Sequence, residues 1–270
     1  MDKEFEIDKI VSYLENIKNE ITKYDWNPQI EKLLLLEIWN SNEKITISNL
    51  NKNNSITKNY EIAIELKKIV GQKLKETKDK KKTSFDELCL WIVKSWGGIS
   101  SSKDENTMAL IYKFFESVDN PNFERISSVS KVASFFASTK YAIYDSRALF
   151  SLNWIILCEN AGKRFFPIPD MRNTKMKAFD VGVLIRLKNI NKYNLEKIQK
   201  SNFDEEIFLA KNDAYLQYIE LIKSVNEILW IEDIEKSQNL YYTEMLLFSI
   251  SDNIIIEDII NKTKTNFFLK

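Results

Sequence analysis

Residues 125–153 read RISSVSKVASFFASTKYAIYDSRALFSLN, and the fold turns on how this stretch divides. Ser127-Ser128-Val129-Ser130 has the small polar residues of a short hairpin, and a helix rich in small residues follows from Lys131. Lys140 to Tyr144 reads as extended. Asp145 then stands where an N-cap would stand, with Leu149, Leu152 and Ile156 on one apolar stripe behind it. Upstream, Met108, Ile111, Phe115 and Val118 make another helical stripe, closed by Asp119-Asn120-Pro121. The order is therefore helix, hairpin, helix, turn, Asp-capped helix.

Working outward, the same three- and four-residue spacing recurs. Ile7, Ile10, Val11, Leu14, Ile17 and Ile21 form a first helix, LLLLEIWN after Pro28 a second, and Ile62, Ile64, Leu66, Ile69 and Val70 a third. Ser84 with Glu87 has the form of a capping box, followed by Phe85, Leu88, Cys89, Ile92 and Trp96 until Gly97-Gly98 ends the helix. Long helices are expected at 203–229, 240–249 and 253–263. Ser41 to Asn54 reads as a polar loop with a short strand at 44–47, and FDVGVLIRL at 179–187 as a second short strand. Only five glycines and four prolines punctuate the chain, too few for a turn-rich sandwich or barrel. The expectation is an all-α, mostly helical protein with minor β, divided into an N-terminal helical region with a basic linker (1–82) and a second region (83–270), either separate or packed with the N-terminal helices as one unit.

Composition excludes several chemistries. The chain has no histidine, so serine-histidine and cysteine-histidine pairs and every histidine metal site are impossible. Its two cysteines, Cys89 and Cys158, lie far apart in apolar runs, which rules out a four-cysteine zinc or iron-sulfur centre and argues against a disulfide framework. No apolar stretch is long enough to span a membrane, and MDKEFEID is the opposite of a signal peptide's positive start. A cytoplasmic protein is expected. Net charge is zero, yet residues 61–200 carry 25 basic against 16 acidic side chains, a bias that suits a polyanion. Lys73, Lys75, Lys78, Lys80, Lys81 and Lys82 are its densest patch, which a solvated surface would explain equally well.

The order of elements around residues 105–154 resembles the helix-hairpin-helix superfamily of DNA glycosylases, especially the branch with an 8-oxoguanine glycosylase-like fold. That family follows its hairpin with a lysine, a small-residue helix of pattern K-x-A-S-x-F, an apolar tripeptide and an aspartate opening the next helix. Lys131 in SKVASFF matches the Schiff-base lysine of bifunctional members, and Asp145 in AIYDSR the catalytic aspartate. The likeness spans Trp91 to Trp154, with more distant echoes at Arg172-Asn173 and at Glu244 to Phe248. In two respects the chain departs from the family: serines replace the usual hairpin glycines, and the interval from Lys131 to Asp145 is short.

The resemblance implies a two-lobed helical fold and double-stranded DNA containing a modified base as partner. It further implies DNA contacts from Ser127, Ser128, Val129, Ser130 and Arg147, and a bacterial enzyme found on the nucleoid when bound, needing neither metal nor cofactor. Two other purposes fit the same residues: removing modified bases from phage DNA, or a catalytically inactive module that binds DNA or protein.

The chemistry stands without the family name. Breaking an N-glycosidic bond develops positive charge on the sugar, which a carboxylate stabilises, and an amine that captures C1′ forms an imine able to break the strand. A flipped base needs aromatic walls, and Trp91, Trp96, Tyr141, Tyr144 and Trp154 lie near the motif. Their spacing follows the apolar stripes, so they are read first as core.

Overall fold

The computed structural model describes residues 4–26, 29–52, 59–117, 123–171, 173–193, 196 and 204–267. It is mostly helical. Among these residues the only β pairing is two isolated bridges, Phe5 with Gly162 and Phe165 with Phe208. Contacts divide the chain into two units. One is residues 21–143; the other joins residues 1–20 to 144–270. Position 82/83 falls at the start of the helix Lys82–Leu90, which packs on the helix before it within the first unit.

That unit holds α2 (Ile30–Leu34), α3 (Ser41–Lys52), α4 (Asn59–Thr77), α5 (Lys82–Leu90), α6 (Asp104–Glu116) and α7 (Ile126–Phe136). Its centre is α7, which packs on α4, on α6 and on the wider helical turn Trp91–Trp96 that continues α5. Nine of the eleven residues of α7 are buried. At Gly71 the backbones of α4 and α7 touch: a Cβ there would lie 2.2 Å from the Phe135 carbonyl oxygen, so only glycine permits the approach. The wide turn ends at Gly97, whose N–H donates to Ile92 O, five residues back, at 2.8 Å. Gly98 then takes φ +65°, a left-handed conformation that suits glycine and stops the helix as expected.

The second unit is built around α8 (Ser146–Cys158). Every residue from Ala148 to Leu157 is buried. Around α8 pack α1 (Ile7–Glu15), α10 (Val181–Lys188), α13 (Tyr241–Ile250) and α14 (Ile254–Phe267), while the long α11 (Lys211–Leu229) packs on α1, on α12 (Ile234–Gln238) and on α13. The short α9 (Thr174–Ala178) completes the unit. Its polar core groups are bonded as burial requires. Ser151 Oγ donates to Leu247 O at 2.7 Å, and Asn153 clasps Phe166 through both N–H and C=O at 2.9 and 2.8 Å.

Several local expectations are corrected: LLLLEIWN is helical only as far as Leu34, and the helix expected from 203 begins at Lys211. Residues 44–47 lie inside α3, where Ile47 is fully buried on one helical face. The stretch 179–187 is mainly α10: Asp180 caps it by accepting from Gly182 N at 2.8 Å, and Val181 and Ile185, four apart, face the core. The β-branched residues there suggested a strand, but cap and spacing agree on a helix. Ser84 is no cap either, since α5 starts at Lys82 and Phe85 N already bonds Lys81 O. Val118, Asp119-Asn120-Pro121, Arg172 and Phe203 lie outside the described residues.

Candidate active-site residues

The stretch read as a hairpin is helix. Arg125 enters α7 with φ +52°, and Ser127 to Ser130 form its first turns. Ser128 N and Val129 N donate to Arg125 O at 2.8 and 3.2 Å, and Ser128, Val129 and Ser130 are buried. Their amides are therefore not displayed as a hairpin's would be to a phosphate. Ile126, Val129, Val132 and Ala133 supply one apolar side, while Ser127, Ser130, Lys131 and Ser134 follow at steps of three, one and three. That second set is a polar stripe on a buried helix. Serines that look like turn formers in sequence are here the small residues that let polar groups face inward.

Lys131 lies on this stripe and is 5 % exposed. Lysine is almost never buried to that extent without a partner. Its ammonium donates to Ser127 O, one turn back, at 3.0 Å. Its stem lies against Gly97, where an added Cβ would fall 2.8 Å from Lys131 Cδ and 2.6 Å from Val93 O. A second lysine, Lys67 on α4, is 3 % exposed in the same unit and donates to Ser134 Oγ at 3.2 Å. Sequence reasoning passed over Lys67, because a lysine among the lysines of α4 carries no distinguishing signal.

Asp145 belongs to the other unit, so the two expected catalytic residues fall in different compact bodies. Its carboxylate caps α8, accepting from Arg147 N at 2.9 Å, as the sequence suggests. Beside it Tyr144 is fully buried, donates to Pro167 O at 2.8 Å and meets the rings of Tyr215 and Tyr218 edge-on at 6.0 and 5.2 Å. Burial pushes the Tyr218 hydroxyl well above its ordinary value, and the Glu244 and Asp145 carboxylates push it the same way. Glu244, only 3 % exposed, is thus a buried acid beside the same tyrosine. Its signal in sequence is a lone carboxylate within the apolar run YYTEMLLFSI.

Arg147, expected on DNA, is half-buried. Its guanidinium is 3.7 Å from Asp252 and lies over the Phe248 ring at 4.7 Å, and Asn173 Nδ2 also donates to Asp252, at 3.1 Å. Trp91, Trp96, Tyr144 and Trp154 are all buried, in keeping with the core role their spacing suggests. No group of His, Cys, Asp or Glu among the described residues could hold a metal, and no helix among them is long and apolar enough to cross a membrane. Comparison with family models, with curated proteins and with solved structures finds no match. The likeness to the glycosylases therefore rests on the quoted residues alone.

Proposed function

We propose that the chain is a DNA N-glycosylase acting on double-stranded DNA that carries a modified base, in the cytoplasm and on the nucleoid. The observation that carries this is the burial of Lys131, an amine kept from solvent on a helix whose polar face is otherwise serine. Lys131 is assigned the nucleophile's role. Its unprotonated amine attacks C1′, the C1′–N bond breaks with its electron pair passing to the base, and the amine's proton goes to that base. Ring opening then gives an imine, from which loss of a C2′ proton expels the 3′ phosphate. Asp145 is assigned the carboxylate that stabilises the positive charge growing on the sugar.

Borohydride, which reduces the imine to a stable amine, should trap a covalent protein–DNA adduct on the right modified-base duplex. Lys131→Gln should abolish trapping while leaving the protein folded. Asp145→Asn should slow base release by about two orders of magnitude. Base release that survives Lys131→Gln but not Asp145→Asn would mean attack by water instead of lysine. Full activity in both variants would refute the assignment. Comparing host lesions with phage-type bases separates repair from defence.

The helical form of Ser127 to Ser130 favours a second reading, because it removes the hairpin that would grip the DNA backbone. In that reading the chain is a non-catalytic module, and it would bind DNA or a protein without releasing any base.

A further inference from the structure

Residues 230–233 join α11 to α12, and they put isoleucine where a turn ordinarily carries glycine, asparagine or serine. Ile231 in this turn and Ile234 just after it are each 74 % exposed, and Ile228 just before it is 44 % exposed. One exposed isoleucine is ordinary, whereas three within seven residues make a patch. The exposure does not come from looseness. Ile231 N donates to Ile228 O at 3.3 Å and Asp233 N to Trp230 O at 2.9 Å. The buried Trp230 donates through Nε1 to Thr243 Oγ1 at 3.1 Å, and Asn226 Nδ2 holds the carbonyls of Lys236 and Ser237 at 2.7 and 2.8 Å. A braced backbone thus keeps the isoleucines in solvent, where polar side chains would serve the fold equally well.

Ile228 and Ile231 line a groove of about 760 Å³ whose other side is α1, with Val11, and the residues just after it. All of it belongs to the unit that joins residues 1–20 to 144–270. Its acids outnumber its bases, with Asp8, Glu15, Glu232 and Asp233 against Lys18 and Lys236. Both lysines are already paired, with Glu15 and with Asp233, while Asp8 and Glu232 make no ion pair among the described residues. Apolar surface between carboxylates that lack a cation matches apolar side chains flanked by positive charge. The groove is walled by helices and a turn, so an extended peptide would find no sheet edge to join. We infer that it seats a basic amphipathic helix of another protein, with apolar residues against Ile228, Ile231 and Ile234 and lysine or arginine reaching Asp8 and Glu232. A surface already fixed in place loses little freedom on binding. Two copies of the chain meeting through this same face would set acid against acid, and an anionic lipid surface would be repelled in the same way. The inference needs no part of the glycosylase reading.

The test titrates the intact protein into two fluorescent synthetic helices of about 18 residues, each with leucine at the i, i+3, i+4 and i+7 positions. One is otherwise rich in lysine and the other in glutamate. Fluorescence anisotropy should show the lysine peptide binding, more weakly as salt is raised, and the glutamate peptide not binding. Ile231→Ser combined with Ile234→Ser should weaken binding roughly ten-fold and leave the thermal melt unchanged, since both side chains already stand in water. Asp8→Asn combined with Glu232→Gln should also weaken binding and flatten its salt dependence. No binding of the lysine peptide, equal binding of the two peptides, or undiminished binding by the isoleucine variant overturns the inference. Tighter binding to phosphatidylglycerol vesicles than to the lysine peptide would assign the surface to lipid. A dimer seen in sedimentation and dissociated by the isoleucine substitutions would assign it to a second copy, and either outcome overturns the inference as well.

Discussion

One methyl group at Gly71 or Gly97 would test two places in the 21–143 unit where the chain leaves no room for a Cβ. A Cβ at Gly71 would lie 2.2 Å from a backbone oxygen of α7, and a backbone cannot swing aside as a side chain can. Gly71→Ala is expected to cost about 2–3 kcal/mol by overpacking, measured by urea unfolding. At Gly97 the nearest atoms are Val93 O and the movable Lys131 stem. Gly97→Ala should therefore displace the amine as well as strain the turn, and borohydride trapping should fall in protein that is still folded. The cysteines make a separate prediction. Burial pushes the Cys158 thiol up to about 12 and Cys89 well above its ordinary value, so at pH 8 both remain protonated. A disulfide reagent such as dithiobisnitrobenzoate should react slowly with native protein and quickly in denaturant. At this scale the capping position of Asp145 is legible in the sequence, because an aspartate before an apolar helical stripe is a local pattern. The burial of Lys131 and of Lys67 depends on distant chain and is not.

At the scale of elements, what could be read depended on whether the deciding signal was local. The Gly97-Gly98 stop and the Asp145 cap are written in adjacent residues, and both stand in the structure. Ser127 to Ser130 mislead because serine serves a turn and a tightly packed helix equally well, and only the helices around α7 settle which. The polar sequence of α3 likewise shows too few apolar residues to reveal a helix before its neighbours are known. Asp145 is both cap and proposed catalytic group, and two variants separate the roles. Asp145→Ala should destabilise by about 1 kcal/mol, whereas Asp145→Asn keeps an oxygen for Arg147 N and should cost only a few tenths. Thermal melts of the pair alongside base-release assays check this: stability should differ between them while activity is lost in both.

For the whole molecule, the absence of histidine removes the side chain that ordinarily titrates near neutrality, so stability should be nearly flat from pH 6 to 8. Above about pH 9 it should fall. The thiols of Cys89 and Cys158 and the hydroxyls of Tyr144 and Tyr218 are all held above their ordinary values by burial. As pH rises through the unfolded values, the unfolded chain loses these protons while the native one keeps them. Each fully retained proton then costs the native state about 1.4 kcal/mol per pH unit. Urea midpoints from pH 6 to 11 should show a plateau and then a steep decline. The mostly helical class follows from apolar spacing, but the division at 20/21 and 143/144 does not, since neither border carries a proline- or glycine-rich linker. That division bears on how the protein is made. On the ribosome, residues 21–143 emerge as an uninterrupted stretch that already contains every helix of its unit. Helix α1, in contrast, packs on α11, which begins at Lys211. At ~5–20 residues per second of synthesis, Ile10 and Leu14 wait ~10–40 s for the surface that buries them. Throughout that interval the nascent chain carries the apolar face of α1 uncovered, beside a stretch already able to fold, and that face is a surface a chaperone could hold.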